Sequence, residues 1–462
     1  MMPIAGGGIK EEPMRSDENF LWIAPRNGQD WVDDELNSAL EWLSTLIPEN
    51  EWNRRLERAT GLFESAKKDW AEGRRTPLFD PKDVIFWYIH QARCYGNPEV
   101  RLDFFEPEGY RIAPLFRRLG QLLPSLRLVE GAEDRAARII RGEVNADDGL
   151  YELLVAGAYR LRGWRRVTFV PESKGLERSP DLYVQTGRRS WAVECKRTGR
   201  SGYARDERQA GLRMAAAVHE LSRSAGRSLV MLVTFKSELT SLPDSYLAEK
   251  IAQFSSKERS RTWSDEGGSG LIAETKLEAL HRVLRDDDIH FAGSRMIELV
   301  AAAYRHDVDY DMAGQWTPAP GRPLHAEWVD QLSLVAWKSE SPVAARRKAK
   351  HFRSVVGRGS GQLPGDRPGV IHVGYETIGG NSSDGLRHIY NRIEMRDFDP
   401  EKSRLRFVYG NYFMPERVTN RNESAAVRET TAWYPIGKRG TKQPLKGHML
   451  FMDEDGDPGM HF

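Results

Sequence analysis

From residue 29 to about residue 145, apolar positions recur at helical spacing. DWVDDELNSALEWLSTLI, EWNRRLERATGLFESAKKDW, FDPKDVIFWYIHQARCYG, YRIAPLFRRLGQLL and EDRAARIIRGE each carry the pattern. Pro81 stands where a first helical turn tolerates it. β-Branched alternation is scarce here, so the pattern predicts a helical domain over 29–145. The stretch before it, 1–28, has no period and predicts a disordered tail.

At Asn145 the pattern changes. NADDGLYELLVAGAYRLRGW predicts a helix whose acidic start suits the positive end of the helix dipole, and Gly163 stops it. RVTFVPES, DLYVQT and SWAVECKR then predict three strands, with Gly187 in the last turn. A helix follows from Arg205 to about Ser222. SLVMLVTFK predicts a strand buried on both faces. Helix, three strands, helix, strand over 146–240 predicts an α/β sheet flanked by helices. Beyond it, SYLAEKIAQF and ETKLEALHRVL predict helices around a polar loop, and RMIELVAAAY fits a helix or a strand. QLSLVAWKS and GVIHVGYE predict strands on either side of a basic helix, PVAARRKAKHFRSVVG. RLRFVYGNYFMP and GHMLFMD predict a β-rich end, and Gly357–Gly369 and Gly379–Gly385 read as flexible connectors. Residues 241–462 are thus a mixed α/β region that either completes the preceding domain or serves recognition or regulation.

With 462 residues the chain is long enough for two or three domains. Its 40% hydrophobic and 29% charged residues fit a soluble globular protein. Two cysteines, Cys94 and Cys195, exclude a disulfide scaffold and a zinc ribbon. No apolar run reaches the length of a membrane span, and the N-terminus lacks a signal-peptide layout. The expectation is a cytoplasmic protein with no membrane association. Net charge is only +1, so any attraction to a polyanion must come from local clusters.

The chemistry concentrates in SPDLYVQTGRRSWAVECK, Ser179–Lys196. Strand alternation puts Glu194 and Lys196 on one face and Trp191, Val193 and Cys195 on the other. Asp181 opens the preceding strand. Two carboxylates and an ammonium at one sheet edge offer hard oxygen ligands to Mg²⁺ (Mn²⁺ can substitute) and a polarised water for phosphodiester hydrolysis. The bland alternatives are turn chemistry for an Asp after Pro and a solvated face for Glu-x-Lys. Basic residues surround the stretch: Arg188, Arg189, Arg197, Arg200, Arg205, Arg208 and Arg213. A second cluster holds Arg346, Arg347, Lys348, Lys350, Arg353 and Arg358. Such runs can track phosphates or simply solubilise a helix. Trp31, Trp42, Trp52, Trp70 and Trp87 read as core packing ahead of base stacking. His306-Asp307-x-Asp309-x-Asp311 lacks the glycine and distal glutamate of a calcium loop and reads as a surface loop. No GxxxxGK[ST], GxSxG or HExxH motif is present.

Pro180-Asp181, twelve intervening residues and Glu194-x-Lys196 together resemble the signature of the PD-(D/E)xK, or restriction-endonuclease-like, nuclease superfamily. The resemblance covers about a fifth of the chain, residues 147–236. It implies a restriction-endonuclease-like mixed sheet flanked by helices. It implies that Asp181, Glu194 and the Cys195 carbonyl bind Mg²⁺ and that Lys196 orients the attacking water. Glu152 resembles the glutamate on the preceding helix, with Glu143, Asp147 and Asp148 as rivals, and Gln209 a polar position on the following helix. Arg188, Arg189, Arg197, Arg200 and Arg205 would contact nucleic acid. The implied function is a Mg²⁺-dependent nuclease, with DNA favoured, in prokaryotic restriction or antiviral defence. It would act as a homodimer or as a partner subunit of a defence complex. The alternatives are a catalytically silent nucleic-acid-binding or scaffold subunit on the same fold, or an effector active only with a partner or ligand.

Overall fold

A computed structural model describes residues 32–72, 74, 76–171, 179–199, 201–255, 257–305, 307–376, 381–416, 426–437, 442–445 and 449–451. The tail 1–28, Trp31, Arg200 and His306 lie outside these residues.

Five helices open the chain: α1 (Asp34–Ser44), α2 (Glu49–Ala71), α3 (Val84–Gly96), α4 (Glu106–Leu126) and α5 (Ala132–Ile140). Asp33 caps α1 by accepting from the Leu36 N–H at 2.9 Å, while its second oxygen accepts from Arg117 Nε at 2.7 Å and ties α1 to α4. Gly120 makes their crossing possible, since a Cβ there would lie 1.8 Å from the Glu35 carbonyl oxygen. Trp42, Trp52 and Trp87 are buried, and the half-buried Trp70 donates its indole N–H to the Thr76 carbonyl at 2.7 Å. These tryptophans are packing residues.

Next comes α6 (Ala146–Leu161), capped by Asn145, which accepts from the Asp147 and Asp148 N–H groups. It is buried along nearly its whole length. On one side Gly157 admits Leu122 of α4; on the other the helix lies on a sheet begun by β1 (Arg166–Phe169), β2 (Leu182–Thr186) and β3 (Arg189–Thr198). After β3 the chain leaves this sheet. It builds α7 (Gly202–Ser224), β4 (Leu229–Phe235), α8 (Tyr246–Ala252), β5 (Ser260–Ser264), β6 (Gly268–Glu274), α9 (Glu278–Leu284), β7 (Ile289–His290), α10 (Ser294–Ala301), β8 (Asp309–Ala319) and β9 (Arg322–Ser339). These strands form a second sheet, in the order β5-β6-β4-β9-β7 with β8 also on β9. α7 and α8 cover one face and α9 and α10 the other. The chain then returns through α11 (Pro342–Gln362), β10 (Gly369–Glu376), α12 (Asn381–Arg396), β11 (Leu405–Glu416) and β12 (Ala426–Pro435). The first sheet reads β1-β2-β3-β10-β11-β12. β10 runs parallel to both β3 and β11, while the sheet's other pairings are antiparallel.

Among the described residues the protein is therefore mixed α/β, with twelve α-helices around two mixed sheets. One hydrophobic core runs from α1–α5 through α6 to the sheet face of Val193, Cys195, Val370 and Tyr409, so the helical layer and the first sheet share an interior. A second core lies under α11 and α12. No helix among the described residues is long and apolar enough to cross a membrane.

Several local expectations are corrected. β4 is a fully paired strand, as its apolar run predicts, but it pairs with β6 and β9 and not with β3. An apolar run reports burial, not which sheet provides it. The polar stretch after α8 is the β5–β6 hairpin, and RMIELVAAAY is helical over α10. Gly357 lies inside α11, and α12 starts within the Gly379–Gly385 stretch. Residues 449–451 form no strand: the Leu450 and Phe451 N–H groups donate to the buried Glu429 carboxylate at 2.8 and 3.0 Å.

Candidate active site

Asp181 directly precedes β2. The β2–β3 register pairs Leu182 with Val193, and one step further sets Asp181 across from Glu194 on the same side of the sheet. There the ladder is replaced by a side chain, for the Cys195 N–H donates to Asp181 Oδ2 at 2.7 Å. The backbone between Glu194 and Lys196 thereby fixes the half-buried Asp181 carboxylate.

Glu194 is 0% exposed. Its Oε1 pairs with the Lys196 ammonium, while Oε2 has no hydrogen-bond partner. Gly359 of α11 makes room above it, since a Cβ there would come within 3.3 Å of Glu194 Cγ. Burial, and then the Asp181 charge, push the Glu194 carboxyl well above the usual range, against the pull of Lys196. Lys196 Nζ also donates to Gln362 Oε1 at 2.5 Å. Burial disfavours the Lys196 ammonium, but Glu194 outweighs it, and the net shift is upward, so the group stays cationic.

α6 supplies the opposite wall. Glu152 is 5% exposed and its Oε2 accepts from Arg135 Nε at 2.6 Å and Nη2 at 2.5 Å; Arg135, on α5, is 8% exposed. Burial, then Asp181, push Glu152 to about 8, with Arg135 opposing. One turn earlier, Asp148 is raised by burial and by Asp147, and pulled down by Lys196 and Arg197. Asp148 and Glu152 thus face the hairpin from one side of α6. Asp147 is engaged elsewhere, by the Tyr88 hydroxyl at 3.0 Å and Arg111 at 3.1 Å. Glu143 is exposed and pairs with Arg138. The Cys195 thiol is pushed up by burial first and then by Asp181, which suits a core residue and not a nucleophile.

A buried carboxylate oxygen without a donor, beside carboxylates that raise one another, is a place that a small hard cation would stabilise. Asp181, Glu194 and the Cys195 carbonyl are the oxygens that fit it. Among the described residues no three His, Cys, Asp or Glu side chains gather as a metal-holding group.

Other candidates lie apart. Gln209 is exposed on α7, whose buried face packs on the second sheet. Arg188 and Arg189 sit at the tip of the hairpin; Arg189 is five residues from Glu194, about 17 Å at a strand's rise, and stacks over Trp164 at 5.2 Å. Arg197 lies over Phe413 at 5.1 Å, and Arg205 is exposed on the first turns of α7. Most of the second basic cluster serves packing: Lys348 pairs with Glu207 at 2.5 Å, Arg347 with Glu238 at 3.2 Å and Arg353 with Glu394 at 3.3 Å, and Arg346 lies over Tyr390. Asp307, Asp309 and Asp311 go to three different partners, Arg305, Arg208 and His219. Two residues at the site escaped the sequence reading. Nothing local singles out Arg135 on α5, and Gln362 lies 166 residues beyond Lys196.

No protein-family model, curated protein or solved structure matches the chain.

Proposed function

We propose that the protein is a metal-dependent nuclease of the PD-(D/E)xK type, hydrolysing phosphodiester bonds, with DNA the favoured substrate. The observation that carries this reading is Asp181 set across from a buried Glu194 whose Oε1 holds Lys196 and whose Oε2 has no donor. In this reading the restriction-endonuclease-like core is discontinuous. It consists of α6, β1, β2 and β3, then α11 and β10, which take the places that sequence order assigns to α7 and β4. The inserted residues 202–339 carry the second sheet.

Mg²⁺ or Mn²⁺, held by Asp181, Glu194 and the Cys195 carbonyl, would supply a polarised water and neutralise charge at the phosphate. Asp181 is pre-set for this by the Cys195 N–H. Lys196, kept cationic by Glu194 and steered by Gln362, stabilises the charge that builds on the phosphate oxygens. Glu152, clamped by Arg135, adds negative charge on the α6 side. Cutting both strands of a duplex in one encounter takes two such sites, so the reading includes a homodimer or a partner subunit, in a cytoplasmic restriction or antiviral role.

The test is cleavage of plasmid and end-labelled single strands with Mg²⁺ or Mn²⁺. Asp181→Ala and Lys196→Ala should each lose at least about 100-fold in rate. Wild type that cuts neither DNA nor RNA, or variants that cut equally well, would sink the proposal.

A further inference from the structure

On α11, His351, Arg358 and Gln362 recur at i, i+7 and i+11, which is one face of a helix. They span eleven residues, about 16 Å at the rise of an α-helix. That face lies along the end of β3. His351 Nε2 is 3.4 Å from the Thr198 hydroxyl, and Gln362 accepts from Lys196 at 2.5 Å. Arg205 is exposed on the first turns of α7, which meets α11 through Glu207 and Lys348. Burial lowers the His351 imidazole below its ordinary value, and the charges of Arg358 and Arg205 lower it further.

The charge balance of this strip is uneven. Three acids beside α11 pair with its other basic residues: Glu207 with Lys348, Glu238 with Arg347 and Glu394 with Arg353. The N-terminal half of the basic run on α11 thus docks that helix onto its surroundings. Arg358, further along, is exposed and donates to the Ser354 hydroxyl at 3.2 Å. Asp206, exposed beside Arg205, limits the charge at the outer end. Between the two arginines stand a hydroxyl and an imidazole, and beyond Arg358 the Gln362 amide meets Lys196. Neutral donors between cations suit a row of phosphate oxygens, and such contacts position a strand without carrying sequence information.

We propose that this strip (Arg205, Thr198, His351, Arg358, Gln362 and Lys196) is a track that binds the phosphate backbone of a nucleic-acid strand and leads it, without sequence preference, to Asp181 and Glu194. The proposal rests on the nuclease reading for the direction of the track but is tested without cleavage. The probe is a fluorescein-labelled DNA 20-mer, single-stranded or duplex, titrated by anisotropy in EDTA across a salt series. Wild type should bind. Arg205→Ala combined with Arg358→Ala should weaken binding about tenfold at low salt and cut the salt slope by about 2, one for each lost phosphate contact. Arg358→Glu should weaken it alone. Arg54→Ala, an exposed arginine of α2, should change nothing. Both track arginines are exposed, and unchanged thermal midpoints would show the variants folded. Absent wild-type binding, or affinity and slope unmoved in the double variant, overturns the track. Normal binding without cleavage overturns the nuclease reading and leaves the track standing. Cleavage by a double variant that binds like wild type does the reverse.

Discussion

Arg135→Met isolates the buried pair that joins the helical layer to the candidate site. In the wild type two guanidinium nitrogens hold one oxygen of Glu152, with both side chains more than nine-tenths buried. Methionine keeps much of the volume and removes the charge. Glu152 sits at about 8 in the folded protein, against an ordinary value near 4.5. A carboxyl raised on folding is at its most favourable below its unfolded value and loses stability as pH rises through its folded one. The window here runs from about pH 4.5 to about pH 8. At pH 6 Glu152 is mostly protonated, and the substitution removes hydrogen bonds worth about 1.5–3 kcal/mol. At pH 9 the wild-type carboxylate is ionised and paired, whereas the variant must either strand that charge or hold a proton against the pH, and the cost rises to about 3–5 kcal/mol. Removing Arg135 also extends the window upward, because the carboxyl loses the group that lowers it.

The assay is urea unfolding of wild type, Arg135→Met, Glu152→Gln and the double variant at pH 6 and pH 9. The four proteins form a cycle, so other titrating groups cancel. Arg135→Met should lose more stability at pH 9 than at pH 6, and adding Glu152→Gln should recover about 2 kcal/mol or more at pH 9 by removing the stranded charge. Equal losses at the two pH values, or a double variant no better than Arg135→Met at pH 9, would refute the reasoning.

Three further predictions follow from the geometry. Gly120→Ala places a methyl 1.8 Å from a backbone oxygen of α1, where no side chain can yield, and should lower stability by about 3 kcal/mol or more in thermal unfolding. Glu429, raised to about 7 by burial, favours stability most fully below about pH 4.5 and loses it as pH rises through about 7. Glu429→Gln should flatten that slope and speed hydrogen exchange at Leu450 and Phe451, whose N–H groups it holds. Mg²⁺ at about 100 times its Kd should stabilise wild type by about 2.7 kcal/mol, seen as a higher melting temperature, and should leave Asp181→Ala unmoved; equal shifts in both would place the ion elsewhere.

How much was legible depended on the range of the interaction. The helices of the N-terminal layer, α6 and the β2–β3 hairpin follow from period, caps and a Gly187 turn, which act over a few residues. The same alternation set Glu194 and Lys196 on one face. The neighbour of β3 did not follow, because β10 lies beyond a whole inserted sheet. Gln209 was chosen for lying on the next helix in sequence, whereas Gln362 lies on the next helix in space. Glu152 stands ahead of Asp147 in the sequence pattern, and in the fold Tyr88 and Arg111 hold Asp147 elsewhere. The glycines of Gly357–Gly369 suggested a loop because glycine costs helix stability, but Gly357, Gly359 and Gly361 lie in α11, where Gly359 sets the helix close over Glu194.

The hairpin holds the acidic pair and the lysine, yet other segments set their properties. Glu194 acquires its raised pKa from cover provided by α11, and Lys196 keeps its position through Gln362 on that helix. Glu152 is held by Arg135 from the N-terminal layer. α11 in turn is pinned through Lys348–Glu207 and Arg347–Glu238 to the start and flank of the inserted unit. An Asp and a Glu-x-Lys on exposed strands would be a solvated face with ordinary pKa values. What separates this arrangement from that bland alternative is the burial of Glu194 with one oxygen left unpartnered, and burial is a property of the assembled layers that no motif contains.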